Sequence, residues 1–315
     1  MPSSRTCVVF GGNGFLGQHL CQRLLTDGYN VRSVSRTGRP KGEVQSWWSD
    51  MEWIKADLGA EASRSAMAGA EVIFHLASST HPCTSNSDAV FDLQSNLIGS
   101  VRMLKRASVS GVQRVIFISS GGTVYGVPRQ IPIPETHPTD PICSYGIHKL
   151  AIEKYLYLFR TLGELDSIVL RVSNLYGEHQ NLDKPLGAVS HFAYRAATGK
   201  TVEIWGDGTI RRDYIHVDDV VNAFRKAITY RGPERVFNIG TGRSVSLNQL
   251  LELIGQRVDR RLQVTYAPVR GFDVLDNALE ITRAARELGW TPSIRLEDGL
   301  DRVLRSSLCV QQECA

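Results

Sequence analysis

Short apolar runs alternate with helical stretches through the first half of the chain. Cys7 to Phe10 is one such run, and it stops at glycines. Leu16, Leu20, Leu24 and Leu25 then fall on one face of a predicted helix from Phe15 to Asp27, which Gly28 ends. Further strands are predicted at Val31 to Val34, Glu52 to Lys55, Glu71 to Leu76 and Arg114 to Ser119. Helical stretches lie between most of them, notably from Phe91 to Ser110. A long helix is predicted from Ser144 to Leu162, and a sixth strand from Ser167 to Arg171. This alternation predicts an α/β fold, with a parallel sheet covered by helices on both faces. Beyond Tyr176 the pattern breaks. Glu178 to Gly187 reads as loop, His191 to Thr198 as helix, and a glycine-rich turn follows at Gly206 to Gly208.

Composition narrows the class. The chain has 315 residues, of which 42% are apolar and 22% charged, as in ordinary globular proteins. That length suits one large α/β domain and a smaller one. The net charge is +4 without a long basic run, so no nucleic acid partner is implied; a mild positive field suits an anionic small molecule. The six cysteines form no C-x-x-C pair, which gives no metal site and points to reduced thiols in a cytoplasmic protein. The polar start, Met1 to Thr6, does not read as a signal peptide. No stretch approaches the ~20 apolar residues of a membrane helix.

Chemistry first enters at Gly11-Gly12-Asn13-Gly14-Phe15-Leu16-Gly17, between the first strand and the first helix. The glycines read as G-x-x-G-x-x-G (Gly11, Gly14, Gly17) or as G-x-G-x-x-G (Gly12, Gly14, Gly17). Either way one makes the tight turn, one lets backbone approach a pyrophosphate, and one lets helix and strand pack closely. The anion then meets N–H groups at the helix N-terminus. The expected fold is therefore a Rossmann-type doubly wound sheet that binds NAD(P). After the second strand the chain reads Ser35-Arg36, without the acid that would bind the ribose 2′-OH of NAD. A hydroxyl and a guanidinium suit a 2′-phosphate, with Arg39 and Lys41 near, so NADP is favoured and NAD is the alternative.

Tyr145 and Lys149 stand four apart at the head of the long helix, one turn apart on one face. A free tyrosine, with pKa ~10, is a poor base at neutral pH, and a neighbouring ammonium favours its phenolate. His148, between them, is expected on the surface. The fifth strand runs into Ser119-Ser120-Gly121-Gly122-Thr123-Val124-Tyr125-Gly126, where Ser120 or Thr123 could bridge a substrate oxygen and the tyrosine.

Together these residues resemble the extended short-chain dehydrogenase/reductases, in particular the NAD-dependent epimerase/dehydratase family. The resemblance runs from Val8 to about Leu304. Asp57-Leu58 resembles that family's adenine-contacting D-L, and His75-Leu76-Ala77 its H-L-A after the fourth strand. Asn96-Leu97-Ile98-Gly99 is similar to its N-x-x-G, and Arg171 to Gly177 to its R-x-x-N-x-Y-G. Gly206-Asp207-Gly208 with Arg211 to Asp219, and Phe237 to Gly240, match its later motifs.

The resemblance implies a cofactor site formed by Gly11, Gly14, Phe15, Leu16, Gly17, Ser35 and Arg36, with Asp57, Leu58, Leu76, Ala77, Ser78 and Asn96. Ser119, Tyr145, Lys149 and Val172 complete it. Tyr145 would be the acid/base, Lys149 its partner, and Ser120 and Thr123 the hydroxyls that assist. Ser120, Gly121, Thr123 and Tyr145 would face the sugar, while Asn174, Arg212 and Arg270 would hold its diphosphate. His216 reads as a packed hydrogen-bonder, and Asp218 and Asp219 as structural residues able to cap the next helix.

Implied domains are a dinucleotide-binding one over 1–175 and a mainly substrate-binding one over 176–315, with some segments returning to the first. The implied activity is nucleotide-sugar epimerisation, most simply at C4 of a UDP-sugar. An NADP-dependent keto-sugar reductase, a dehydratase and a non-catalytic cofactor-binding regulator are the alternatives. Homodimers through the helices near Leu97 to Ser110 and Ser144 to Leu162 are the family habit. Two departures stand out. The family's catalytic Ser or Thr, four residues before Tyr125, is Gly121 here. The strip Gly121-Gly122-Thr123 also lacks the acidic pair of the sugar dehydratases.

Overall fold

The computed structural model describes residues 5–40, 45–180, 187–268 and 274–312. In chain order the elements begin β1 (Thr6–Phe10), α1 (Phe15–Thr26), β2 (Asn30–Ser35), β3 (Glu52–Lys55), α2 (Glu61–Met67) and β4 (Ala70–His75). They continue α3 (Ala89–Asp92), α4 (Gly99–Val109), β5 (Arg114–Ser120), α5 (Ser144–Thr161), β6 (Asp166–Val172), β7 (Asn174–Tyr176), α6 (Ala188–Ala197) and β8 (Val202–Trp205). Then come β9 (Arg211–Arg212), β10 (Tyr214–His216), α7 (Val217–Thr229), β11 (Val236–Ile239), β12 (Val245–Ser246) and α8 (Leu247–Gly255). The last are β13 (Val264–Ala267), β14 (Asp276–Asn277), α9 (Thr282–Leu288) and α10 (Leu296–Gln312). No described helix is long and apolar enough to cross a membrane.

The chain forms two compact units. The first comprises Met1–Gly126, Thr139–Arg171 and Val221–Phe237; the second comprises Val127–Pro138, Val172–Val220 and Asn238–Ala315.

The seven-stranded parallel sheet runs β11-β6-β5-β4-β1-β2-β3. This is the doubly wound Rossmann order, and it reverses direction between β1 and β4, where such sheets open their ligand crevice. Its central strands are continuous apolar runs because helices bury both faces. In the first unit Val8, Phe10, Ile73 and Phe117 pack with Met103 and Leu104 of α4 and Ile152 and Leu156 of α5. Each such side chain contributes about 1.5–3 kcal/mol on burial. Arg114 of β5 pairs with Asp166 at 2.5 Å and donates to the carbonyls of Ala227, Ile228 and Tyr230 at the end of α7. A guanidinium thus satisfies the orphan carbonyls of that helix terminus.

The expected helix from Phe91 to Ser110 is interrupted. A π-helical turn, Leu93–Ile98, separates α3 from α4. Inside it the Asn96 side-chain amide donates to the Asp92 carbonyl four residues back, 3.1 Å away. That carbonyl is the ordinary acceptor of an α-helical N–H, so a side chain competes with the helix ladder.

In the second unit β7 pairs with β10, β8 with β13, and β9 lies between β12 and β14. Val189, Phe192 and Ala193 of α6 pack with Val202, Ile204, Leu250, Ile254 and Leu300. Helix α8 starts with a full capping box between Ser246 and Gln249.

Candidate active site

The turn after β1 is built by missing side chains. Gly11 has φ +87°, and a Cβ there would lie 2.9 Å from the Ala77 nitrogen. Leu76 and Ala77, after β4, therefore abut the glycine turn at the point where the sheet reverses. A Cβ on Gly17 would lie 2.2 Å from the Gly11 carbonyl oxygen, and one on Gly12 would lie 2.4 Å from Ser33 Oγ. Gly14 caps α1 without a side-chain hydrogen bond, and no acidic residue occupies the first turn. Backbone N–H groups and a positive helix end are thus turned to one place, with no carboxylate to repel an anion. These residues fit a dinucleotide pyrophosphate.

At the end of β2, Ser35 Oγ donates to the Gly38 carbonyl at 2.9 Å, so its hydroxyl proton serves the turn itself. Arg36 is exposed. Arg39 lies over the Trp48 ring, 5.4 Å from its centroid, and Lys41 falls outside the described residues. Asn13 Nδ2 donates to Thr37 Oγ1 at 2.6 Å and ties this strand end to the glycine turn. Asp57 is exposed, while the Leu58 side chain lies against Gly99 at the head of α4.

Tyr145 and Lys149 share one face of α5. Lys149 is buried, donates to the Ile118 carbonyl at 3.0 Å, and lies 5.5 Å from the centre of the Tyr145 ring. Burial pushes its ammonium down to about 7, against the carboxylates of Glu153 and Asp92. Burial, then Cys143 and Asp92, push the Tyr145 phenol up. The phenolate thus depends on local positive charge. The Thr123 backbone packs against the start of α5 at Gly146, where a Cβ would lie 2.8 Å from the Thr123 carbonyl oxygen. Thr123 Oγ1 is buried without a hydrogen-bond partner. Ser119 Oγ, in contrast, donates to Glu153, whose carboxylate also binds Arg171 at 2.6 Å. Arg171 in turn donates to the Tyr125 hydroxyl at 3.0 Å.

His148 is the main correction to the sequence reading. It is fully buried, with Nδ1 2.9 Å from Asp92 Oδ2, and not on the surface. Helix α5 buries an arc wide enough to include Ser144, His148 and Ile152 beside Lys149 and Glu153. Asp92 went unnoticed in the sequence. It also accepts from Ser144 Oγ at 2.6 Å, Asn96 Nδ2 at 3.0 Å and Thr80 Oγ1. Ser85 Oγ accepts from the Tyr145 N–H at 3.0 Å, and Asn86 Oδ1 from the Ser144 N–H at 2.8 Å. Asn96 Oδ1 accepts from the Ser79 N–H at 2.7 Å, and Ser78 Oγ donates to the Thr80 carbonyl at 2.9 Å. Asn96 thus braces the loop that follows β4.

In the second unit Asn174 pairs in register with Tyr214, two residues beyond Arg212. Arg212 donates to the carbonyls of Arg211 and Val274, at 2.9 and 2.5 Å. Arg270 lies outside the described residues. Between Arg212 and Tyr214, buried Asp213 accepts from the Thr241 N–H and hydroxyl, the Gly242 N–H and the Leu279 N–H. His216 is buried and meets Glu178 Oε2 at 2.9 Å. Asp219 does not cap α7, because it already lies in the first turn. Its carboxylate accepts from Ser293 and Ile294 instead, and Asp218 pairs with Arg302.

The profile of the NAD dependent epimerase/dehydratase family matches residues 7–240. The chain belongs to this family. It is 36% identical over 303 residues to the UDP-glucose 4-epimerase of Mycolicibacterium smegmatis, covering 94% of this chain and 96% of the relative. Among solved structures it is similar to the UDP-glucose 4-epimerase of Thermotoga maritima with UDP-glucose. There the TM-score is 0.91 at 35% identity, over 97% of this chain and 99% of the other. The Thermus thermophilus UDP-glucose 4-epimerase complex with NAD gives a TM-score of 0.88 at 28% identity, over 96% of this chain and 99% of the other. As a family member, the chain carries the glycine turn and the Tyr145–Lys149 pair together in its first unit.

Proposed function

We propose that the protein is a UDP-sugar 4-epimerase that interconverts UDP-glucose and UDP-galactose with a bound nicotinamide cofactor. The observation that carries this is the Tyr145–Lys149 pair in the same unit as a glycine turn, in a chain similar over nearly its whole length to UDP-glucose 4-epimerases. Tyr145 takes the proton of the sugar hydroxyl and later returns it. Thr123, with an unpartnered buried hydroxyl, supplies the bridging group that Gly121 cannot, and Ser120 is its neighbour. Lys149 supplies positive charge to the phenol and is held by the Ile118 carbonyl. The nicotinamide, when bound, supplies reversible hydride acceptance at the sugar carbon. Asn174 and Arg212, with Arg270, hold the diphosphate, for which a guanidinium has matching geometry.

NAD is the proposed cofactor, as in the Thermus thermophilus relative. The Ser35 hydroxyl, already engaged by its own turn, fits this reading. A second reading, NADP with keto-sugar reduction, rests on exposed Arg36 and the lack of an acid after β2. We further propose a homodimer through α4 and α5. Phe91 of α3, Ile98 just before α4, Ile147, Tyr157 and Leu158 of α5, and Leu162 at its C-cap are exposed apolar residues that a second copy would cover. Thiols outside any disulfide at Cys7, Cys21 and Cys143 suit the cytoplasm.

The test is product analysis with UDP-, GDP- and dTDP-sugars, with and without added NAD(P)H. A new product of unchanged mass from UDP-glucose, with no net cofactor consumption, is expected. A product two hydrogens heavier with NADPH oxidised would replace the proposal with the reductase, and loss of water would replace it with a dehydratase.

A further inference from the structure

We infer that the buried Asp92–His148 pair is a positioning device for Tyr145 and Lys149, and that the charge on Asp92 acts on the Tyr145 phenol. The inference rests on the reading of Tyr145 as the acid/base.

The geometry begins at Asp92, the last residue of α3. Its Oδ2 accepts from Ser144 Oγ at 2.6 Å and meets His148 Nδ1 at 2.9 Å. Its Oδ1 accepts from Asn96 at 3.0 Å and from Thr80. One carboxylate therefore holds the first and second turns of α5, the turns that carry Tyr145 and Lys149. The His148 ring stands edge-on to the Tyr145 ring, 5.0 Å between centroids, so a shift of His148 is transmitted to the phenol.

Burial, then Lys149, push His148 down to about 4 despite its bond to Asp92. The imidazole is neutral through the working range, gives Asp92 its Nδ1–H, and leaves Nε2 buried without a partner. Burial alone would raise the Asp92 carboxyl, but the hydrogen bonds from Ser144, Thr80 and His148 outweigh it and hold it below its ordinary range. The pair thus keeps a net negative charge near the phenol. Lys149 and His148 of α5 lie against the Tyr145 ring, and Asp92 from α3 and Cys143 before α5 act on its phenol by charge. Of the carboxylates, Asp92 acts on Tyr145 and also supports the Lys149 ammonium.

The experiment is tyrosinate absorbance titration of the NAD-loaded protein, with the Tyr145→Phe signal subtracted, alongside NAD affinity and turnover of UDP-glucose. Asp92→Asn, nearly isosteric, is expected to lower the Tyr145 midpoint by about one unit. Its kcat should fall about tenfold with KM within about twofold. His148→Asn, whose amide can still donate to Asp92, should keep NAD affinity within about twofold. His148→Leu should weaken it at least about fivefold. A folded Asp92→Asn protein with the wild-type titration midpoint overturns the charge effect. Equal NAD affinity and equal midpoints in the two His148 variants overturn the positioning role, and decide it if Asp92→Asn fails to fold. The titration needs no turnover, so an inactive wild type would count against the epimerase reading alone.

Discussion

Two helix starts in the first unit do opposite things with side chains. Helix α1 begins by leaving them out: Gly11, Gly14 and Gly17 clear a backbone cradle, and no side chain caps the helix. Helix α5 begins by borrowing them. Cys143 at its N-cap gives no side-chain cap, and the orphan N–H groups of Ser144 and Tyr145 are met by Asn86 and Ser85, about sixty residues earlier. A site that must admit a polyanion is made of exposed backbone. A site that must fix a phenol and an ammonium is made of a closed network, because a small misplacement of reacting groups is costly. The first tolerates no added atom; the second tolerates no lost partner.

The largest effect should come at the second site. Tyr145→Phe is expected to lower turnover by about 10³-fold or more while NAD stays bound, since general acid–base groups contribute on that scale. Steady-state rates with equilibrium NAD binding check it, and surviving activity would remove Tyr145 from its role. Next, Gly17→Ala puts a methyl 2.2 Å from the Gly11 carbonyl, so the turn must open. NAD affinity should fall about 100-fold or more, read by calorimetry, with a lower Tm.

Lys149→Met should separate stability from function. Folding lowers the Lys149 pKa from 10.5 to about 7. The unfolded chain therefore binds more protons between those values, and wild-type stability should rise with pH across that window. The methionine variant should lose that rise, melt a few degrees higher near pH 7, and turn over about 100-fold more slowly. Thermal melts from about pH 6 to 10 read both slopes. The smallest effect is at the rim of the cradle. Arg36→Asp should weaken NADP at least about tenfold and leave NAD within about threefold, because a guanidinium matches a 2′-phosphate and a carboxylate repels it. Unchanged affinities for both would remove Arg36 from cofactor choice.

The contrast also governs what could be read from sequence. The α1 cradle was legible because its cause is local: glycines at fixed spacing after an apolar strand. Tyr145 and Lys149 were legible for the same reason, being one turn apart. The network behind them was not. Asp92 lies in Phe91-Asp92-Leu93-Gln94-Ser95-Asn96, which reads as part of one continuous helix, and only the fold carries it to Ser144 and His148. His148 was misassigned because a single-face reading of α5 misses the width of its buried arc. Cys143 was the available signal. A poor capping residue before a catalytic helix means that its first N–H groups find acceptors elsewhere. Asp219 is structural as expected, but its partners were illegible for the same reason, since the loop at Ser293 and Ile294 that occupies it is more than seventy residues away.

The most direct test of the central claim follows the hydrogen on the inverted carbon. UDP-glucose deuterated at C4 would be incubated with the enzyme in ordinary water, and the UDP-galactose analysed by mass spectrometry and NMR. The product should keep its deuterium at C4, with no net change in NAD or NADH. Loss of deuterium to water would mean inversion by proton abstraction at carbon, and would contradict a hydride cycle governed by Tyr145 and Lys149.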